Sequence, residues 1–362
     1  MKKIIMLIIV IGIALTGCSK YKNQEVITEN FNQNNASNLS SENGIFTEDK
    51  IYYVTEQSFD SELVNRTFFG ENENEMDKHI NPGDTEEEAV YIKEKDGYSL
   101  FLLSGGISNR ANITYAREQY QEVKDYYNNY LNLIFNGQIN DTLRKEFTET
   151  FDDSKEITID KEKTISMCQS YFDKLGITNI KLEQIYAMDE DGLNKLEREI
   201  FPEENYEEDI EGIPNRIRQW TDEKEAYFMI FHNQIENKEI NFFGYDEEYQ
   251  CVSDYNARSY AIADENGLVY MQINPCYLYQ DSKDIQIISE QEAAKVVEKY
   301  LSNIMISNNT QINKNGCQYT AIYDYNKKDI QLIPTWSFTI TNGDAITDTD
   351  ISVNAITGEL IK

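Results

Sequence analysis

Few side chains in this sequence are suited to catalysis. The chain has only two histidines, His79 and His232, and a nucleophilic Ser–His or Cys–His pair would need one of them. His232 ends an apolar strand pattern, and His79 is predicted to lie in a polar loop beside Asn81-Pro82-Gly83. The motifs of zinc proteases, α/β-hydrolases, nucleotide-binding loops and dithiol oxidoreductases do not occur. We therefore predict no catalytic residue, no cofactor and no enzymatic activity.

Acidic residues are abundant, but their number is not evidence for a site. The sequence holds 64 Asp and Glu against 33 Lys and Arg, a formal net charge of −31. A carboxylate-based hydrolase needs two acids held in one cleft with separated pKa values. A nucleic-acid partner would need a field of Lys and Arg, so none is expected.

A calcium loop can be tested directly on the sequence. Aligning Gly192 with the loop glycine of an EF-hand places Ala187 and Arg198 at positions that require oxygen ligands, so this reading fails. Weak divalent cation binding on the acidic surface stays open, without a dedicated metal site. Three aspartates near the C-terminus are weak candidates for it: Asp344, Asp348 and Asp350.

The cysteines divide into one near the N-terminus and four in the body. Export to an oxidising compartment permits disulfides, and four cysteines allow three full pairings. Cys251 and Cys276 bracket a hairpin turn at Asn266-Gly267, which makes them the candidate disulfide. The alternative is a set of buried thiols, with Cys168 on a helix face.

The N-terminus has the pattern of an export signal. Met1-Lys2-Lys3 precedes an apolar run of twelve residues from Ile4 to Leu15, which is too short for a stable membrane span. Leu15-Thr16-Gly17-Cys18 then resembles the lipobox of bacterial lipoproteins. The resemblance implies cleavage after residue 17 and a diacylglycerol on the Cys18 sulfur.

The lipobox resemblance also predicts where the mature protein works. Two or three acyl chains on one protein give a stable membrane anchor. We expect the extracytoplasmic face of the cell membrane. The heavy use of Asn, Ile, Lys, Tyr and Glu is typical of an AT-rich coding sequence, which favours the outer leaflet of a Gram-positive plasma membrane. Residues 18–45 are polar and aperiodic, and about 28 such residues form a flexible tether with a reach of roughly 30 Å.

Residues 46–150 predict an N-terminal α+β unit. Ile51 to Val54 is rich in β-forming residues, and two further runs flank Asp96-Gly97, a strong hairpin signal. Apolar and Tyr residues from Ala116 to Ile134 are spaced by four and three positions, which predicts a long helix.

Residues 155–280 predict a middle α+β unit. Asp160 is a candidate N-cap for a helix that ends at Gly176. Strands are predicted over 180–188 and 225–232, with a hairpin over 260–273 and a short helix at 193–200.

Residues 285–362 predict a C-terminal α+β unit. Ser289 and Glu292 form a capping box that opens a helix with an apolar face. Four strands are predicted after it, and Pro334 is expected at an edge or a bulge because it cannot donate to a central ladder. Trp336 and Phe338 share a sheet face and should pack under the helix.

The units together predict an α+β fold of tandem helix-on-antiparallel-sheet units. The C-terminal unit resembles a PepSY-type domain in its capped helix, its Pro334-Thr335-Trp336-Ser337-Phe338 strand and its Val353 to Glu359 hairpin. The resemblance implies a cystatin-like fold, found in secreted or anchored proteins that inhibit proteases or regulate envelope proteins. It implies no catalytic residues.

These patterns favour a non-enzymatic surface lipoprotein that binds or regulates another cell-envelope protein, such as a sensor or a protease. One alternative is the solute-binding lipoprotein of a transporter. A less favoured alternative is a carboxylate-based cell-wall hydrolase. The sequence leaves the partner and the oligomeric state open.

Overall fold

The computed structural model describes most of the chain beyond residue 46. The described residues are 47–70, 75–80, 89–103, 112–117, 150–151, 155, 157–200, 220–221, 225–241, 244–246, 251–253, 258–303, 310–324, 329–342 and 349–361. Within them the chain is α+β, as predicted, with far more strand than helix.

Four helices and seventeen strands occur in these residues. The helices are α1 (Ser61–Phe69), α2 (Lys161–Lys174), α3 (Glu190–Ile200) and α4 (Glu290–Asn303). The strands are β1 (Thr47–Glu56), β2 (Asp77–His79), β3 (Val90–Lys95), β4 (Tyr98–Leu103), β5 (Asn112–Arg117), β6 (Ile180–Met188), β7 (Ala226–Ile235), β8 (Lys238–Glu239), β9 (Gly244–Asp246), β10 (Cys251–Ser253), β11 (Arg258–Asp264), β12 (Gly267–Ile273), β13 (Tyr277–Ile287), β14 (Thr310–Asp324), β15 (Asp329–Asn342), β16 (Thr349–Asn354) and β17 (Leu360–Ile361).

The larger sheet has the order β2-β3-β4-β5-β12-β11-β7-β6, with β8 beside the end of β7. Its described pairings are all antiparallel. Local hairpins build much of it: at the β3–β4 turn Asp96 has φ 51° and Gly97 φ 81°, the positive values that a two-residue hairpin turn requires. The predicted hairpins at Asp96-Gly97 and Asn266-Gly267 are both confirmed.

One pairing joins strands that the sequence analysis places in separate units. Ile113 to Ala116 of β5 pair with Tyr270 to Ile273 of β12. Strands from residues 46–150 and from residues 155–280 therefore form one continuous sheet.

Both faces of the larger sheet are covered. Helices α1 and α2 pack on one face around Val64, Phe172 and Met229. On the other face α3 packs with Trp220 and Phe151, both fully buried. Helix α2 begins as predicted, because the Asp160 carboxylate accepts a hydrogen bond from the Lys163 amide at 3.0 Å.

The smaller sheet has the order β10-β9-β14-β15-β1-β13, with β16 on β15 and β17 on β16. Its long strand β15 pairs with β14 along one edge and shares its other edge between two strands. Ile330 to Leu332 pair with β1, and Thr335 to Ile340 pair with β16.

Pro334 lies at the point where that edge passes from β1 to β16. It is opposite Tyr319 of β14 in a central strand, not on a sheet edge or at a bulge as predicted. Neither β1 nor β16 pairs with it, so its missing N–H removes no ladder bond on that side. Its carbonyl still accepts a hydrogen bond from the Ala355 amide at 3.0 Å.

Helix α4 packs on this sheet as the sequence predicts. The capping box is confirmed: the Ser289 amide donates to Glu292 Oε2 at 3.0 Å, and the Glu292 amide donates to Ser289 Oγ at 3.3 Å. Phe338 is fully buried under the helix, and Trp336 Nε1 donates to the Ile288 carbonyl at 2.9 Å.

Three local predictions are corrected. Ala116 lies in β5 rather than in the long helix, whose remaining residues lie outside the described ones. His79 lies in the exposed strand β2, not in a loop. Strand β1 pairs with β13 and β15, so it belongs to the smaller sheet and not with the neighbouring strands of residues 46–150.

Gly192, in the first turn of α3, should not tolerate a side chain. A Cβ at this position would lie 2.6 Å from Asp189 Oδ1 and 2.7 Å from Phe151 Cε1. Alanine favours a helix over glycine by about 1 kcal/mol, but overpacking costs about 1–3 kcal/mol. We expect Gly192→Ala to lower the free energy of unfolding by roughly 1–2 kcal/mol, measured by urea titration.

The matched control is Glu298→Ala on the exposed face of α4, which should change stability by less than about 0.5 kcal/mol. A Gly192→Ala protein as stable as the wild type would contradict this packing.

Candidate functional site

The predicted lipid and cation sites lie largely outside the described residues. This holds for Cys18, Asp344 and Asp348. Asp350 is exposed in β16, where it accepts a hydrogen bond from Thr339 Oγ1 at 2.6 Å. Within the described ranges, no group of three or more His, Cys, Asp or Glu side chains is arranged to hold a metal ion. The cation site stays a prediction.

The cysteines of the body are poorly placed to react. Cys168 and Cys276 are buried, and burial raises the pKa of each thiol to about 12. Cys317 is half-buried, with a pKa raised by burial to about 11. The side chain of Cys251 lies outside the described residues, so the bridge from Cys251 to Cys276 stays a prediction.

His232 lies between two carboxylates. The residue is 5% exposed in β7, with Nδ1 3.8 Å from Glu183 Oε2 and Nε2 3.6 Å from Glu239 Oε1. Arg258 donates to both oxygens of Glu183, at 2.8 and 2.7 Å. Burial alone would raise the pKa of Glu183, but His232 and Arg258 lower it below its ordinary value.

A buried carboxylate joins the two sheets. Asp49 of β1 has a side chain that is 9% exposed and accepts hydrogen bonds from Lys238 Nζ of β8 at 2.6 Å and from the Tyr319 hydroxyl of β14 at 2.7 Å. Burial opposes its ionisation, but the donors outweigh this and hold the pKa of Asp49 below its ordinary value. We call Asp49, Lys238 and Tyr319 the Asp49 junction.

The β7–β8 turn brings Lys238 to this position. Glu236 and Asn237 have φ values of 47° and 65°, the left-handed pair of a tight hairpin turn. Beside the junction, Lys50 Nζ lies 3.1 Å from Glu236 Oε1. A hairpin of the larger sheet is thereby held against β1 of the smaller sheet.

Strand β13 is the terminal strand of the smaller sheet. It spans eleven residues, Tyr277 to Ile287, and ten of them pair with β1 on one side. On its other side, no strand pairs with it in the part of the chain that the structure describes. We call this side of Tyr277–Ile287 the β13 edge. Its ends are fixed, since Tyr277 and Ile287 are buried and the Tyr277 and Tyr323 hydroxyls lie 2.5 Å apart.

The β13 edge exposes two large apolar side chains next to charged ones. Leu278 is 44% and Tyr279 is 55% exposed, and Asp281, Lys283 and Asp284 follow. The main-chain groups on the unpaired side of such a strand can pair with a strand from another chain. This mode of recognition takes affinity from main-chain hydrogen bonds and specificity from side chains.

An extra residue changes the side-chain pattern of β13. Tyr53 pairs with Asp281 and Val54 with Tyr279, so Gln280 is a bulged residue without a partner in β1. Its Nε2 donates to Thr55 Oγ1 at 3.1 Å. Leu278 and Asp281 are three residues apart but lie on the same face of the sheet, because the bulge adds one residue between them. Their β1 partners, Thr55 and Tyr53, are two residues apart and therefore point to the same face.

Sequence reasoning missed this strand. Apolar and polar residues do not alternate regularly from Tyr277 to Ile287. Both faces of this strand carry polar residues, and no described strand pairs with one of its sides. The clustered Tyr277-Leu278-Tyr279 and the isoleucines at 285 and 287 were the available signal for a strand.

No family model and no curated protein matches this chain. Seven solved chains are similar to this chain, including the following two. An uncharacterized protein from Eubacterium rectale shares 12% identity with a TM-score of 0.49, over 87% of this chain and 86% of that chain. The Bacillus megaterium YpeB C-terminal domain shares 10% identity with a TM-score of 0.31, over 85% of this chain and 97% of that chain. Similarities at these scores support no conclusion about function.

The described helices are all too short or too polar to cross a lipid bilayer.

The Asp49 junction should be a strongly coupled pair. Asp49→Asn leaves the Lys238 ammonium without its carboxylate, and Lys238→Met leaves the carboxylate without its cation. We expect each change to cost about 1–3 kcal/mol in unfolding free energy, and the double variant to cost less than the two single costs combined. Urea titration of the four proteins measures the coupling energy.

The stability lost in Asp49→Asn should also depend on pH. Because the pKa of Asp49 is lowered from 3.8, the wild-type advantage should be complete above that value and decrease as the pH falls through the folded-state pKa. A difference that is constant down to pH 2, or purely additive single variants, would contradict the junction.

The body thiols should be almost inert in the folded protein. A pKa of about 12 instead of 9.0 lowers the thiolate fraction at neutral pH about a thousandfold, so Cys168 should escape alkylation in the folded protein and be labelled readily after unfolding. Mass spectrometry of peptides alkylated before and after unfolding, without reductant, measures this.

The same experiment decides the predicted bridge. Labelling of Cys251 and Cys276 in the unfolded protein would exclude it, whereas protection of this pair alone would establish it. Rapid labelling of native Cys168 would contradict its burial.

Proposed function

We propose that this chain is a non-enzymatic, lipid-anchored surface protein that binds a protein of the cell envelope by strand addition to the β13 edge. The observation that carries the proposal is the long side of β13 with which no strand of the described residues pairs, beside two exposed apolar residues, Leu278 and Tyr279.

The edge offers both sources of binding energy that strand addition uses. Main-chain N–H and C=O groups on its unpaired side can form a ladder with an incoming strand. Full burial of a large apolar side chain contributes about 1.5–3 kcal/mol, so covering Leu278, which is 44% exposed, adds about 1 kcal/mol. Binding would remove Leu278 and Tyr279 from water. Their exposure contributes nothing to the stability of the folded chain on its own.

The charges along the edge make such binding selective. Asp281, Lys283 and Asp284 are exposed on the same strand. A like charge directly opposite any of them destabilises a pairing, and an opposite charge stabilises it. A partner strand must therefore avoid an acid opposite Asp281 or Asp284 and a base opposite Lys283, which protects the edge from indiscriminate association.

The N-terminal sequence supports a location at the membrane surface. Lipidation of Cys18 would fix the chain outside the cytoplasm, and residues 18–45 would let the folded body move within roughly 30 Å of its anchor. The PepSY-type resemblance of residues 285–362 supports partners among envelope proteins, a class that includes sensors and proteases.

A photo-crosslinker at the edge tests the proposal on intact cells. p-Benzoylphenylalanine replaces Tyr279 in the full-length chain, and after irradiation we expect a covalent adduct with a protein in the membrane fraction. The control places the same group at Glu298, which is exposed on α4 and outside the edge. We expect at least several-fold less adduct from Glu298.

Absence of an adduct from Tyr279, or equal adducts from both positions, would contradict strand addition at the β13 edge.

A further inference from the structure

The β13 edge carries a self-complementary order of side chains. We infer that the strand that pairs with it is β13 of a second copy of this chain, antiparallel about a two-fold axis at Ser282. The inference rests on the proposed function, because it names the partner of the same edge.

The symmetry restricts the registers that are available. In an antiparallel pair, residues opposite each other point to the same face. Two identical strands related by a two-fold axis satisfy this only when the axis passes through a residue that lies opposite its own copy. The register is therefore defined by one central residue.

The charges favour Ser282 over its charged neighbours as that residue. Centring the axis on Asp281, Lys283 or Asp284 places a charge directly opposite the same charge, which is destabilising. Centring it on Ser282 places Asp281 opposite Lys283 of the second copy. Symmetry repeats the contact, so the dimer gains two ion pairs and no like-charge contact at the centre.

The apolar side chains agree with this register. The extra residue at Gln280 has no partner in β1, so the next residues toward the strand start are displaced by one position. Leu278 then lies opposite Ile285 of the second copy. Both side chains point to the face of Asp281, because their β1 partners, Thr55 and Asp49, are an even number of residues from Tyr53, the partner of Asp281. The 44% exposed Leu278 would be covered by an aliphatic side chain, twice per dimer.

A short edge-to-edge contact needs a high local concentration. Two chains anchored in one membrane by flexible tethers meet at an effective concentration far above that in solution. A pairing of modest intrinsic affinity would therefore form at the membrane surface. It would also remove the unpaired edge of both chains at once.

A cysteine pair tests the register in the full-length chain on intact cells. Ser282→Cys places two thiols opposite each other, with Cβ atoms about 4.5–5.5 Å apart, within reach of a disulfide after mild oxidation. Gln286→Cys is the matched control on the same exposed strand. Its two copies would be eight positions apart along the pair, about 26 Å, and should not join.

We expect Ser282→Cys to form several times more disulfide-linked dimer than Gln286→Cys or the wild type. The wild type measures the dimer that forms through the native cysteines alone. Equal dimer from the two variants would show collision without register and would overturn the inference. The inference would also be overturned if Ser282→Cys formed no more disulfide-linked dimer than the wild type.

A charge exchange tests the pairing partner. In the Ser282→Cys protein, Asp281→Lys puts Lys opposite Lys, and Lys283→Asp puts Asp opposite Asp, so each variant alone should lose most of the dimer. Co-expressed with different tags, the two should restore it between the two tags, because each lysine then faces an aspartate. Failure of the mixture to restore the dimer would overturn the inference.

The photo-crosslinker at Tyr279 separates this inference from the proposed function. An adduct of twice the chain mass supports both. An adduct with a different protein, without the Ser282→Cys dimer, overturns the inference and keeps the proposed function. No adduct and no dimer overturn both.

Discussion

One largely buried charge, the carboxylate of Asp49, links the two sheets. A carboxylate that is 9% exposed is stable only with close donors, and its donors come from Lys238 next to the larger sheet and from Tyr319 in the smaller one. Because β13 pairs with β1, the strand that carries Asp49, this contact also fixes the direction in which the β13 edge faces. The ion pair between Asp49 and Lys238 thus affects the β13 edge through strand β1, without contacting the edge itself.

The same rule explains how so acidic a chain keeps a dense core. With 33 basic residues for 64 acidic ones, most acids have no cation of their own and must lie in water. Three partly buried acids are each matched with a basic residue: Arg117 binds Asp264 at 2.6 Å, Arg258 binds Glu183 at 2.7 Å, and Lys155 binds Asp189 at 2.9 Å. Stacked rings provide further contact, as where Phe68 lies between Tyr115 and Tyr171 at 4.9 and 5.0 Å.

Local sequence predicted the elements whose signals are local. Asp96-Gly97, the Asp160 cap and the Ser289–Glu292 capping box each act within a few residues, and each was confirmed. Pairing between distant segments has no such signal. Nothing in Ile51 to Val54 indicates that β1 pairs with β13 more than two hundred residues later, and β13 itself lacks the alternation of a half-buried strand. The candidate edge was therefore missed together with the strand that forms it.

An exposed edge strand is a hazard that folded proteins usually reduce with charges and bulges, and β13 has both. If protection were their only role, a single charge in the middle of the strand would suffice, and Leu278 and Tyr279 would have no reason to be exposed beside it. The order Asp281, Ser282, Lys283 repels most approaching strands but matches its own reverse. The bulge at Gln280 moves Leu278 onto the face where Ile285 of an antiparallel copy would lie. The charges and the bulge of β13 can therefore repel most other strands and still allow pairing with a second copy of β13. Both effects depend on which side chains lie opposite each other in the pair.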